Sequence, residues 1–305
     1  MTKVKNEKSK RHEDLRFGIY ELPIMIEELR KKAEELLKNK TVDVVYGYGE
    51  GSVPERTRPV FITKPEDANK LTWNKYCVYN LTTYLKRQET RKLGKPAIIV
   101  KGCDAKTIIV LLKECQIKRE DVYVLGVTCD GVGEPLATKC KACDVNTPRI
   151  YDDLVGEKIE NKEIPFDERY AELDEYEKLS EKEKWDFWQK QFAKCIKCYA
   201  CSSICPLCFC DRCIVDKNQP QWIDPSAHPR GNLSWNVTRA YHLAGRCINC
   251  EECQRVCPVD IPLNLLNKKL AKETEKNFKY RSGYNIDDEL AMSTYKEEDN
   301  QDFFK

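Results

Sequence analysis

The chain has 305 residues, room for about two domains of roughly 150 residues each. Its 52 basic and 50 acidic residues leave a net charge of +2, which excludes the basic excess of a nucleic-acid coat. No run of about 18 or more apolar residues occurs, so no transmembrane helix is expected. The N-terminal stretch MTKVKNEKSKRHEDLR is basic and no apolar stretch follows it, so no secretory signal is expected and the cytoplasm is the expected compartment. The 17 cysteines are clustered within a long chain, a pattern that favours metal ligation over disulfides.

Residues 1–20 are polar and lysine-rich at their start, and the C-terminus is acid-rich (Asp287, Asp288, Glu289, Glu297, Glu298, Asp299); both read as solvated tails. Ile26, Leu29, Ala33, Leu36 and Leu37 share one face of a helix expected over 24–38. Thr41 to Tyr46 is a β-branched run, expected to be a strand ending in a loop at Gly47, Gly49 and Gly51. That loop lacks the sixth-position glycine of a dinucleotide fingerprint and reads as a turn. PVFI (59–62) is a short strand, and a helix opening at Pro65 and Glu66 would carry Trp73, Cys77, Leu81, Tyr84 and Leu85 on one face, making Cys77 a core residue.

Ala97 to Val100 is a continuous apolar strand. Asp104 is placed to cap a helix from Ala105 to Cys115, buried through Ile108, Ile109, Leu111 and Leu112, and Asp121 to Val127 is a second strand. This is a βαβ unit with parallel strands, within an α/β domain over residues 1–154. Cys115, at the helix end, reads as structural. Residues 155–192 are almost wholly charged or aromatic, a linker running into a solvated helix whose Trp185, Phe187, Trp188 and Phe192 would dock on the next module.

Residues 193–276 form the second, mostly helical domain, and 277–305 an acidic tail. Here Cys195, Cys198, Cys201, Cys205 and Pro206 spell C-x2-C-x2-C-x3-C-P, and Cys247, Cys250, Cys253, Cys257 and Pro258 repeat it. This is the run of a 4Fe–4S ferredoxin module. Three cysteines spaced by two residues wrap one side of a cubane in a single turn, and the fourth ligates the other cluster. Cys195, Cys198, Cys201 and Cys257 should hold one cluster, and Cys247, Cys250, Cys253 and Cys205 the other. Structural zinc, the competing use of such cysteines, typically shows paired C-x2-C units without the third evenly spaced cysteine and the proline. Helices are expected over Val237–Leu243 and from Asn264 to about Lys276. The module resembles the dicluster modules of succinate dehydrogenase iron–sulfur subunits and of the heterodisulfide reductase small subunit.

A third group is Cys103, Cys129, Cys140 and Cys143. Cys103 and Cys129 each follow a strand of the βαβ unit, so both lie at the edge of a parallel sheet where ligands usually bind, and Cys140-x2-Cys143 follows in a loop able to fold back. The residues AIIVKGCD, DVYVLGVTCDG and CKAC resemble the beta subunit of formate dehydrogenase and of deazaflavin-coenzyme-reducing hydrogenase. That resemblance implies that these four cysteines bind a third 4Fe–4S cluster, and it brings in a flavin, FAD; the charged linker stands where that family has a segment that helps hold it. Cys208, Cys210 and Cys213 remain, either a further metal site completed by a ligand such as His228, or packed thiols.

The three histidines (His12, His228, His242) are scattered, and no Walker loop, G-x-S-x-G or H-E-x-x-H is present. The expectation is a non-catalytic electron-transfer subunit of an anaerobic oxidoreductase complex, with formate dehydrogenase, hydrogenase or heterodisulfide-reductase-type partners implied by the resemblance. The alternative is a flavin-containing catalytic beta subunit acting on a nicotinamide or deazaflavin coenzyme. A redox sensor or nucleic-acid binder with structural clusters lacks the basic stripe it would need.

Overall fold

The β-branched and apolar runs of the first half assemble into one sheet. In the computed structural model, which describes residues 21–291, five strands lie in the order β2-β1-β3-β4-β5: β1 Val44–Glu50, β2 Thr57–Ile62, β3 Pro96–Val100, β4 Tyr123–Val127 and β5 Asp153–Val155. The lysine-rich N-terminus with His12, and the acidic residues from 292 onward, lie outside the described residues. β1 and β2 pair antiparallel, with Val45 opposite Ile62. β1, β3, β4 and β5 run parallel, with Ala97 opposite Tyr123 and Leu125 opposite Asp153. The central parallel strands are buried along nearly their whole length, which is why they read as continuous apolar runs rather than as alternations.

The chain divides into two units, Met1–Ala105 with Ile117–Glu163, and Lys106–Gln116 with Ile164–Lys305. The first holds the sheet and helix α1 (Glu21–Lys38), whose Met25, Leu29, Ala33, Leu36 and Leu37 are buried. Helix α2 (Gly102–Lys113) follows β3 and buries Ile108, Ile109 and Leu111. The second unit is helical. It is built on α3 (Glu181–Ala193), α4 (Pro229–His242) and α5 (Leu263–Phe278), around a core that includes Trp188, Phe192, Trp235, Ile261 and Leu263. The sheet and the cysteine-bearing helical region are thus the two parts that the sequence leads one to expect.

Four local expectations are corrected. The strand at 41–46 runs on through Gly47 and Gly49, which serve close packing and not a turn: a Cβ on Gly47 would collide with Leu71 and Ile99. The expected helix from Pro65 is broken into two short 3-10 turns, Pro65–Lys70 and Leu81–Lys86. Asn74 and Asn80 divert the backbone between them, their side chains accepting from Tyr76 N and Thr82 N. Cys77 is nonetheless buried, as are Trp73, Leu81 and Leu85. Asp104 sits inside the first turn of α2 and not before it, and its Oδ2 accepts from the Lys101 N–H at 3.2 Å. Trp185 stays 52% exposed, whereas Trp188 and Phe192 stack with ring centroids 5.1 Å apart in the core. Cys115 is also exposed, just past the end of α2.

Candidate metal centre

Each ferredoxin-type run folds with the same backbone. Lys197 and Tyr199, two and four residues after Cys195, have φ of 56° and 59°; Asn249 and Glu251, two and four residues after Cys247, have φ of 58° and 60°. Left-handed residues within such a turn make backbone N–H groups converge on an anion-binding concavity of the kind that iron–sulfur sites use. Asn249 N–H donates to Cys247 Sγ at 3.4 Å. A short helical turn then carries the third cysteine of each run, Cys201 in Ala200–Ile204 and Cys253 in Glu252–Arg255.

The thiols of the two runs interleave. Burial raises the Cys201 thiol, Arg239 opposes that rise, and Cys195, Cys198 and Cys257 add to it. Burial pushes Cys247 up to about 12, helped by Cys253 and Cys205. Cys250 is raised well above the usual thiol range by burial, then by Glu252, Cys205 and Cys247. Cys205 thus acts on Cys247 and Cys250 of the second run, and Cys257 on Cys201 of the first. Amides support both sets: from the helices, Asn232 Nδ2 donates to the Cys195 carbonyl at 2.8 Å and Asn267 Nδ2 to Cys253 Sγ at 3.6 Å, and from the loop before α5, Ile261 N–H donates to Cys257 Sγ at 3.4 Å.

The sheet brings the third group together. β3 and β4 end on the same edge, placing Cys103 in the first turn of α2 and Cys129 just after β4; Cys140 rides on a short helical turn, Thr138–Lys141. Burial, Asp104 and Cys143 raise the Cys103 thiol to about 12 against the opposing charges of Lys101 and Lys139. Burial also raises Cys129 well above the ordinary thiol range, with contributions from Cys103, Cys140 and Cys143 and opposition from Lys101. The loop is fixed by reciprocal bonds, Cys129 N–H to the Asn146 carbonyl at 2.9 Å and Asn146 Nδ2 to the Cys129 carbonyl at 2.8 Å. Val132 N–H donates to Cys140 Sγ at 3.5 Å.

Beside this group lies Lys101, wholly buried. Its Nζ is 2.8 Å from Asp104 Oδ2 and 2.8 Å from the Tyr79 carbonyl, and it also meets the Tyr48 hydroxyl. Burial disfavours its charge, but Asp104 and Cys103 more than offset that and hold the ammonium above the ordinary lysine range.

Buried thiols held this far up stay neutral until a cation joins them, and a bound metal supplies that charge and deprotonates them. The all-thiol donor sets, the repeated left-handed turns and the interleaved fourth cysteines fit 4Fe–4S clusters. Among the described residues no three His, Cys, Asp or Glu side chains are arranged to hold a single metal ion. Cys208, Cys210 and Cys213 differ in setting: Cys208 acts on Arg239, Cys210 is exposed, and Cys213 packs against the core. His228 pairs with Asp224 at 3.2 Å.

Spacing rules for cysteine did not single out Arg239 or Lys101. Arg239 did carry a signal: Asn232, Trp235, Asn236 and Arg239 follow helical spacing, and all four are buried on α4.

No family model matches the chain. It is 24% identical over 348 aligned positions to the F420-dependent formate dehydrogenase subunit beta of Methanocaldococcus jannaschii, covering 81% of this chain and 89% of that one. It is also 24% identical over 350 positions to the F420-dependent formate dehydrogenase 1 subunit beta of Methanococcus maripaludis, covering 83% and 89%. The 348 aligned positions exceed this chain's 305 residues, so the relatives carry insertions that it lacks. A chain of the F420-reducing NiFe hydrogenase complex from Methanosarcina barkeri matches at 21% identity with a TM-score of 0.29, over 35% of this chain and 42% of that one. No helix among the described residues is long and apolar enough to cross a membrane. Along about four-fifths of its length, the chain resembles the beta subunits of F420-dependent formate dehydrogenases.

Proposed function

We propose that this chain is an electron-transfer iron–sulfur subunit of a larger anaerobic oxidoreductase complex of the formate dehydrogenase, hydrogenase or heterodisulfide-reductase type. Cys195, Cys198, Cys201 and Cys257 hold one 4Fe–4S cluster, Cys247, Cys250, Cys253 and Cys205 a second, and Cys103, Cys129, Cys140 and Cys143 a third. The observation that carries this reading is the doubled run: two cysteine turns with left-handed residues at the same positions, the fourth cysteine of each acting on thiols of the other. Such clusters supply one-electron chemistry at potentials tuned by charge, hydrogen bonds to sulfur and exposure. The protein's own residues hold the thiols, aim N–H groups at sulfur and bury the sites. Cys198 is exposed, which leaves the first cluster open to an exchange partner.

A second reading, a flavin-containing catalytic beta subunit, draws on the F420 dependence stated in the relatives' names. One assay separates the two: iron, acid-labile sulfide, zinc and flavin measured on anaerobically purified full chain. About 12 iron and 12 sulfide without flavin support a relay with three clusters. About 8 iron leave the third thiol group without a cubane, and one flavin per chain moves the reading to catalysis. Zinc in place of iron and sulfide overturns the proposal.

A further inference from the structure

Arg239 is a buried cation without a carboxylate. Its side chain, on the last turn of α4, is 5% exposed. Nη2 donates to the Cys201 carbonyl at 3.0 Å, and Nε–H has no hydrogen-bond partner. The groups acting most strongly on its charge are the thiols of Cys205, Cys208, Cys253 and Cys201, and no carboxylate among the described residues forms an ion pair with it. Cys201 belongs to the first thiol set, Cys205 and Cys253 to the second; the guanidinium bonds the Cys201 carbonyl and also the Cys253 side chain, so it acts on both. Lys101 offers the contrast: it lies as deep beside the third group but is neutralised by Asp104.

A buried charge persists only when it is paired or bound to a metal site. A 4Fe–4S centre with its four thiolates is an anion, and reduction adds one negative charge. We propose that Arg239 is the shared counter-charge of the two ferredoxin-type clusters, a positioning residue that holds the reduction potentials of both up together. This rests on the two-cluster reading above.

The test is an EPR-monitored redox titration of anaerobically purified full chain, wild type against Arg239→Gln, with iron and sulfide measured on the same samples. Loss of the charge should lower the reduction equilibrium constant of each cluster about tenfold, a fall of about 59 mV for one electron. Arg239→Lys should restore both potentials. A merely structural arginine would change stability and leave the potentials of retained clusters in place. Unchanged potentials with iron retained overturn the proposal, and so does a shift confined to one cluster. If Arg239→Gln and Arg239→Met both fail to assemble, Arg239→Lys decides. Potentials near those of wild type support a requirement for charge, and a tenfold fall overturns it. Absence of two ferredoxin-type signals from wild type is a failure of the underlying reading, and it is visible before any variant is compared.

Discussion

Asn249 holds in the second cysteine run the backbone conformation that Lys197 holds in the first, at φ of 58° and 56°. Two stretches about fifty residues apart in sequence are therefore one turn built twice. The left-handed region costs an ordinary residue about 1–2 kcal/mol, and asparagine bears it better than most. Asn249→Gly should keep the turn and its cluster. Asn249→Val should destabilise the second unit by about 1–2 kcal/mol and reduce iron content, because a β-branched residue resists positive φ. Thermal melting with iron analysis on both variants checks this; equal behaviour of Gly and Val would show that the conformation is not needed.

The proposed exchange of fourth cysteines predicts which variants fail together. Cys205→Ala should remove the same EPR signal as Cys250→Ala, and Cys257→Ala the same signal as Cys198→Ala, each leaving about 4 of the 8 ferredoxin-type irons. Grouping by run instead, Cys205 with Cys198 and Cys257 with Cys250, would show that each run closes its own cube.

The parallel strands and the two cysteine runs were legible because each follows from a short local rule. A buried parallel strand must be apolar throughout, as Ile98 and Ile99 are, and cubane ligands must recur at fixed spacing. What was hidden depended on distant neighbours. Gly47 and Gly49 look like a loop until Leu71 and Val60 are seen to press on them. The helix expected through Trp73 and Leu81 has the right apolar period, but Asn74 and Asn80 bind the backbone locally and break it. Arg239 and Lys101 are ordinary cations in the chain; only folding shows that both are buried among thiols.

Lys101 and Asp104 form an ion pair whose side chains are 1% and 0% exposed. Removing one partner from such a pair leaves an uncompensated charge and costs about 3–5 kcal/mol. Lys101→Met should lose stability of that order in a denaturant titration, and the double variant Lys101→Met with Asp104→Leu should recover much of it. A double variant as unstable as the single one would mean that the lysine acts through the Tyr48 hydroxyl and Tyr79 carbonyl, not through Asp104.

Cysteines outside the three groups should separate by reactivity. Burial pushes the Cys77 thiol up to about 12, whereas Cys115 is exposed. The thiolate is the species that alkylates. Iodoacetamide on the native, cluster-loaded chain should label Cys115 and spare Cys77, with both labelled after unfolding; native labelling of Cys77 would show that its pocket opens readily.

Glu177 ties the segment before α3 to α5, reaching Lys269 at 2.7 Å and Lys272 at 2.6 Å. Hydrogen bonds from Lys269 and then Lys272 hold its carboxyl below the ordinary value of 4.5. A carboxylate whose folded-state value is depressed stabilises the fold above its unfolded value, and that stabilisation is lost as pH falls through the folded one. The pair is partly solvated, so Glu177→Gln should cost only about 0.5–1 kcal/mol at neutral pH, and less in high salt. The gap in melting temperature between wild type and variant should close on acidification below the ordinary carboxylate range. A gap that stays constant down to that acidity would assign the loss to packing and not to charge.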